Sequence, residues 1–242
     1  MALLFNNMFA QKWRRHFHFF LTEGEARLNY EIELLIFDLD GTLVDTRRDL
    51  ANAVNYALQQ TGRSALPLEV VVSYVGDGLK KLLERALGRV AEAEAEIVRQ
   101  HFRQYYFEHI ADFSRPYAGT VEILEHFAAK KKAVLTNKPQ EFSDELLERL
   151  GICKYFEIVV GAQADLKLKP EPDGLVKILQ HLAIQPSRAL IIGDSENDIL
   201  AGKAAGAFTC AATYGFRPLK KLAALNPDFF ITALNELKNY II

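Results

Sequence analysis

Leu34-Leu35-Ile36-Phe37-Asp38-Leu39-Asp40-Gly41-Thr42-Leu43-Val44-Asp45-Thr46 carries an apolar run straight into an acidic pair and a glycine. An unbroken run of that length reads as a strand buried on both faces, the habit of parallel sheets. Gly41-Thr42 ends it. The strand therefore delivers Asp38 and Asp40 to its exposed carboxyl end. Alternate residues of an extended chain point the same way, so the two carboxylates can share one site. An acidic turn that merely caps a strand would look similar. The rest of the chain decides between the two by the companions it supplies.

Outward from this strand the pattern changes twice. From Arg47 to Gln60 the apolar residues Leu50, Ala53, Val54, Ala57 and Leu58 recur at helical spacing, and Gly62 stops the run. A short helix after Pro67, the break Val75-Gly76-Asp77-Gly78, a helix over 79–87 and a longer one over about 91–109 follow, with no strand among them. From Tyr117 onward the chain alternates: helix 119–129, strand 132–135, helix 140–150, strand 156–160, helix 173–182, strand 188–192, helix 196–204, strands 207–211 and 228–231, and helix 232–240. Such alternation predicts an α/β fold with a mostly parallel sheet. The expected architecture is an α/β core over 31–46 and 113–242, interrupted after its first strand by an all-helical insert over 47–112.

The 242 residues, half of them hydrophobic, suffice for a full core. Acidic and basic residues nearly cancel, 31 against 29, so no global field favours nucleic acid or an anionic membrane, and neither is expected as a partner. Cys153 and Cys210 fit no CxxC or zinc-ligand spacing, which predicts a reduced, cytoplasmic protein. No apolar run approaches the ~18 residues of a transmembrane span. Residues 1–30 include Trp13-Arg14-Arg15-His16-Phe17-His18-Phe19-Phe20 and follow no helical or strand period. They are expected to be an extension outside the fold, and they lack the cleavage site of a signal peptide.

Two further strands end in polar clusters. Ala133-Val134-Leu135 runs into Thr136-Asn137-Lys138, and Ala189-Leu190-Ile191-Ile192 runs into Gly193-Asp194-Ser195-Glu196-Asn197-Asp198. Ligands of open α/β sheets bind outside the carboxyl ends of the strands, where strand order reverses, so three such ends predict one crevice. Between them, Pro170 and Pro172 stiffen the loop that carries Lys169. Asp38, Asp194 and Asp198, with no His or Cys beside them, favour Mg²⁺ over Zn²⁺. Lys169 and Thr136 add anion-binding groups, and the combination suits a phosphoryl group, whose charge both sets neutralise. With no GxxxxGK[ST] loop, direct attack by a carboxylate on a phosphate ester is the better account than nucleotide-dependent transfer.

These motifs, in this order around a helical insert, resemble the haloacid dehalogenase superfamily. The stretches DLANAVNYAL (49–58) and YVGDGLKKLLERAL (74–87) resemble its phosphoglycolate phosphatase family, and the likeness covers about residues 33–240. The resemblance implies a Rossmann-like core with a helical cap, Asp38 as nucleophile and Asp40 as general acid and then base. It further implies Mg²⁺ held by Asp38, the Asp40 backbone carbonyl, Asp194 and Asp198, and a phosphoryl group held by Thr136, Asn137 and Lys169. The implied partner is a small phosphorylated metabolite, 2-phosphoglycolate in that family, and the chain is expected to be a monomer or homodimer. A phosphomutase resembling β-phosphoglucomutase, or a pyrophosphatase or nucleotidase of the superfamily, would use the same nucleophile and acid/base group. A non-catalytic phosphate-binding protein is disfavoured because every chemical group is present.

Gly76 and Gly78 precede a helix whose free N–H groups suit a substrate carboxylate, which makes them candidates for substrate selection. Tyr105-Tyr106-Phe107 is expected to be core of the insert, and His101, His109, His126 and His181 ordinary helix residues.

Overall fold

The structure, a computed structural model, describes residues 31–241, so the expectation for residues 1–30 lies outside the described residues. Strand β1 (Leu34–Phe37) is buried along its whole length. The chain leaves it through a two-residue strand β2 (Val44–Asp45) and returns through β3 (Arg115–Pro116), which pairs antiparallel with β2. Then come β4 (Lys131–Pro139), β5 (Ile158–Ala162), β6 (Ala189–Gly193), β7 (Phe208–Ala212) and β8 (Phe229–Ile231). The main sheet has the order β5-β4-β1-β6-β7-β8, with every pairing parallel. The chain builds outward from β1 to β4 and β5, then crosses back to lay β6 on the other side of β1. Strand order therefore reverses at β1, the place where such sheets open a crevice.

Period-two alternation explains the unbroken apolar runs. Leu35, Phe37, Val134, Leu190 and Ile192 face one layer of the core, while Leu34, Ile36, Ala133, Leu135 and Ile191 face the other. Helices α5 (Thr120–His126) and α6 (Gln140–Arg149) supply Ile123, Leu124, Phe142, Leu146 and Leu147 to the first layer. Of α7 (Asp173–Leu182), α8 (Glu196–Ala205) and α9 (Leu219–Ala223), α7 supplies Leu175, Ile178 and Leu179 to the second. Both sheet faces are covered, so neither face needs polar residues.

Between β2 and β3 lie four helices: α1 (Arg47–Gln60), α2 (Leu68–Tyr74), α3 (Leu79–Leu87) and α4 (Glu92–His109). The first and last pack together through Leu50, Ala53, Val54 and Ala57 against Val98, Phe102 and Tyr106. Tyr106 and Phe102 also meet Phe142 of α6, at ring-centroid distances of 5.2 Å and 6.3 Å, so an aromatic cluster joins the helical segment to the core.

Several elements differ from the sequence expectation. β2 and β3 were not foreseen, because two-residue strands carry no periodicity. β4 runs to Pro139, well past Leu135, since Thr136 and Lys138 continue as strand among buried neighbours. The expected helix 232–240 is a 3₁₀ segment, Leu234–Asn239; its buried Leu234 and Leu237 are three apart, the spacing that places side chains on one face of a three-residue turn. α5 is shorter than 119–129, ending at His126, and α9 is an additional short helix.

Candidate active site

At the carboxyl ends of β4, β1 and β6 a single cavity is lined by Asp38, Asp40, Thr136, Asn137, Lys138, Lys169 and Asp194, with Gly76, Gly78 and Tyr106 from the helical segment opposite. Asp38 follows β1 and donates its N–H to Ile192 O at 2.9 Å, which ties the turn to β6. Asp40 is two residues on, and its Oδ1 accepts from Thr46 Oγ1 at 2.7 Å. Gly41 turns the chain at φ +87°. A Cβ there would stand 2.5 Å from an Asp194 oxygen, so glycine is required both for its backbone and for the approach of that carboxylate.

Asp38, Asp194 and Asp198 each present a carboxylate oxygen within 4.8 Å of the others, and all three are buried. Asp194 is held by Phe216 N–H at 2.5 Å. Asp198 closes a capping box at the start of α8. Its Oδ2 accepts from Ser195 N (3.0 Å) and Ser195 Oγ (2.6 Å), while its Oδ1 meets Lys169 Nζ at 2.6 Å. The second contact of Lys169 is Asp38 Oδ1 at 2.9 Å, and its Nζ also donates to Leu135 O at 2.6 Å.

Burial dominates the electrostatics. It raises the Asp38 carboxyl to about 7, against the lowering pull of Lys169 and with the help of Asp198 and Asp40. Asp194 is pushed well above the carboxylate range by burial first, then by the charges of Asp38 and Asp198. For Lys169 burial alone would lower the value, but Asp198 and Asp38 together raise it, so it stays an ammonium. A cluster of like charges with one compensating lysine, all oxygen donors and no sulfur or imidazole, is the donor set a hard divalent cation fits.

The sequence-expected residues Asp38, Asp40, Thr136, Lys169, Asp194 and Asp198 thus come together. Thr136 is buried, and its Oγ1 accepts from Lys138 N at 3.3 Å, leaving its own proton to give. Asn137 lines the cavity, but its side chain bridges loops: Nδ2 donates to Gly76 O (2.9 Å) and Lys169 O (2.8 Å), and Oδ1 accepts from Lys169 N (2.8 Å). Gly76 (φ +114°) and Gly78 (φ +88°) sit over the cavity in conformations that disfavour a side chain.

Lys138 was not singled out by sequence. Its Nζ is 3.0 and 3.2 Å from the two Asp40 oxygens and 2.7 Å from Tyr106 Oη. The signal was available, because Lys138 lies two residues beyond Thr136 in an extended strand and so shares its side. Arg217 carries no such signal. From the loop after β7 it donates to Ser73 O at 2.9 Å and to Val75 O. Tyr106 is core, as expected, but its hydroxyl reaches into the cavity.

A doubly covered parallel sheet with acidic residues gathered at its switch point, beneath helices inserted after the first strand, makes this an α/β protein with a charged crevice where such folds bind their ligands. The family model described as haloacid dehalogenase-like hydrolase matches residues 35–212. A protein of Neisseria meningitidis called phosphoglycolate phosphatase is 38% identical over 217 residues, spanning 85% of this chain and 92% of its own length. A protein of the same name from Aquifex aeolicus is 35% identical over 209 residues, spanning 85% and 95%. The crystal structure of a predicted phosphoglycolate phosphatase from Haemophilus somnus aligns with a TM-score of 0.82 at 30% identity, covering 86% of this chain and 97% of that one. The chain belongs to the haloacid dehalogenase-like hydrolases, within the phosphoglycolate phosphatase family, and is a phosphatase. No helix among the described residues is long and apolar enough to cross a membrane.

Proposed function

We propose that this phosphatase hydrolyses a small carboxylated phosphate monoester, 2-phosphoglycolate, through a phosphoryl group carried on Asp38. The observation that carries the reading is Asp38 beside Lys169 at 2.9 Å, in one buried cavity with Asp40 and Thr136. Lys169 Nζ and Thr136 Oγ1 hold the phosphoryl oxygens and offset the repulsion between the incoming dianion and Asp38. An Asp38 oxygen attacks phosphorus, the bond to the ester oxygen breaks, and Asp40 gives that oxygen its proton. Water then attacks the acyl phosphate, Asp40 takes the proton back, and inorganic phosphate leaves with Asp38 restored. Asp38, Asp194, Asp198 and the Asp40 carbonyl would hold Mg²⁺, which supplies positive charge against the developing negative charge.

Residues 31–46 and 113–242 act in this reading as the catalytic core, and 47–112 as a cap that excludes water from the cavity. The names of the relatives at 38% and 35% identity support the substrate. The test is phosphate release from 2-phosphoglycolate, hexose phosphates, pyrophosphate and nucleoside monophosphates, each with Mg²⁺ and with EDTA. Metal-dependent release is expected, with 2-phosphoglycolate giving the highest kcat/KM. Equal rates in EDTA, or a preference for a substrate without a carboxylate, would refute the reading.

A further inference from the structure

Among the described residues three cations line the cavity, and two of them have evident employment. Lys169 lies between Asp38 and Asp198, and Arg217 donates to backbone carbonyls of the loop before α3. Lys138 is the third. It is buried, it belongs to the core, and it meets Tyr106 of α4 at 2.7 Å and Asp40 at 3.0 Å. We propose that Lys138 Nζ and Tyr106 Oη form a subsite for the anionic group on the leaving-group side of the substrate, a carboxylate, and so set specificity. This rests on the phosphatase reading above, because it takes Asp40 as the proton donor to the ester oxygen.

A general acid must stand within hydrogen-bond distance of the ester oxygen, so that oxygen lies about 3 Å from an Asp40 carboxylate oxygen. In a carboxymethyl phosphate the carboxylate carbon is two covalent bonds further on, roughly 2.5 Å. Lys138 Nζ is itself 3.0 Å from Asp40 Oδ1, so the carboxylate oxygens fall within contact range of the ammonium. An ammonium has three donors. One serves the Asp40 carboxylate, one the Tyr106 oxygen, and a third is left for substrate. Tyr106 likewise accepts from Lys138 and keeps its own proton to donate. Burial, then the charges of Asp40 and Asp49, hold that hydroxyl well above its ordinary value, so the proton stays on.

The surroundings strengthen the subsite. Leu50, Leu79, Leu82, Phe102 and Phe142 line the same cavity, and a charge-assisted hydrogen bond against apolar walls is worth more than one in water. Lys138 comes from β4 and Tyr106 from the inserted helices, so the subsite is complete only when the two segments meet. An ester lacking the anion would leave the ammonium underpaired, which is how a polar site rejects an analogue.

The test compares 2-phosphoglycolate with ethyl phosphate, which has a methyl group where the carboxylate stands, in the wild type and in Tyr106→Phe, Lys138→Met and Lys138→Arg. Tyr106→Phe keeps the ring that packs on Phe102 and Phe142. The ratio of the two kcat/KM values is read, so a general loss of activity cancels. The wild type is expected to prefer the carboxylated ester; Tyr106→Phe and Lys138→Met each lower the ratio about tenfold or more, and Lys138→Arg keeps part of it. A wild-type preference that survives both Tyr106→Phe and Lys138→Met overturns the subsite and leaves the proposed function standing. A wild type that hydrolyses both esters with Mg²⁺ but shows no preference overturns the subsite together with the proposed substrate.

Discussion

Lys169 Nζ stands 2.9 Å from Asp38 Oδ1, and it is the only cation within 4.0 Å of any carboxylate oxygen of the buried trio Asp38, Asp194 and Asp198 among the described residues. Lys169→Met therefore removes the cation that faces Asp38 and Asp198 in the metal-free protein and leaves a buried carboxylate unpaired. The expected cost is about 3–5 kcal/mol, the penalty for removing one partner of a buried ion pair. Urea denaturation in EDTA measures it, and Mg²⁺ is expected to restore part of the loss. An unchanged midpoint in EDTA would show that these acids are not ionised together.

Proton and metal compete at Asp38. Its carboxyl, raised by burial to about 7, binds a proton in the folded metal-free state over a range where the unfolded chain, at an ordinary 3.8, has lost it. The native state then holds more protons, so metal-free stability falls as pH rises from about 4 to 7. Mg²⁺ binding to the ionised carboxylate reverses that trend. The thermal shift produced by a fixed Mg²⁺ concentration is expected to grow from pH 5 to pH 8, and a shift independent of pH would remove Asp38 from the metal site.

Asp38→Asn is expected to abolish turnover while keeping the fold, since the amide is nearly isosteric but a poor nucleophile. Asp40→Asn removes mainly proton transfer, so it should still phosphorylate Asp38 slowly from p-nitrophenyl phosphate, whose leaving group needs no proton. A burst of p-nitrophenol in the Asp40 variant measures this. Equal, total loss in both variants with both substrates contradicts the separate roles.

What the sequence disclosed follows from where the physics is local. Leu34–Phe37 and Ala189–Ile192 announce buried parallel strands because both of their faces are covered, and an acidic residue directly after such a run can only lie at the strand's end. Asp38 and Asp194 were legible for that reason, and Lys169 from the prolines that stiffen its loop. Lys138 was hidden by ending β4 at Leu135, since a strand that enters a site turns polar before it stops. Arg217, Phe216 and the β2–β3 ribbon lie in short segments whose partners are distant in sequence, and no local period reports a contact across the molecule.

The junction of the helical segment with the core turns on Asp49. Its buried carboxylate accepts from Phe113 N (3.0 Å), Ser114 N (2.7 Å) and Ser114 Oγ (2.6 Å), fastening the first turn of α1 to the returning linker. Asp49→Ala strands these donors, and the expected cost is about 2–4 kcal/mol by urea denaturation. Ser114→Ala removes only the hydroxyl donor, keeping the backbone N–H, and is expected to cost less. A loss for Asp49→Ala no larger than for Ser114→Ala would show that the backbone N–H groups find water instead.

The loop before α3 is gripped from the core chiefly by its backbone carbonyls, and Asn197 Nδ2 also donates to the Asp77 side chain at 2.8 Å. Arg217 donates to Ser73 O at 2.9 Å and to Val75 O, while Asn137 and Asn197 donate to Gly76 O at 2.9 and 3.2 Å. If the helical segment acts as the proposed cap, these bonds would favour its position over the cavity without touching the reacting atoms. Arg217→Ala removes two of them and is expected to lower kcat/KM about tenfold, a loss of roughly 1.4 kcal/mol of closure energy. Because the grip is indifferent to the bound ester, the loss should be parallel for 2-phosphoglycolate and ethyl phosphate, in contrast to the selective loss expected at Lys138 and Tyr106. Steady-state kinetics on both esters decide the matter. A loss confined to 2-phosphoglycolate would mean that Arg217 leaves the loop to bind the carboxylate itself.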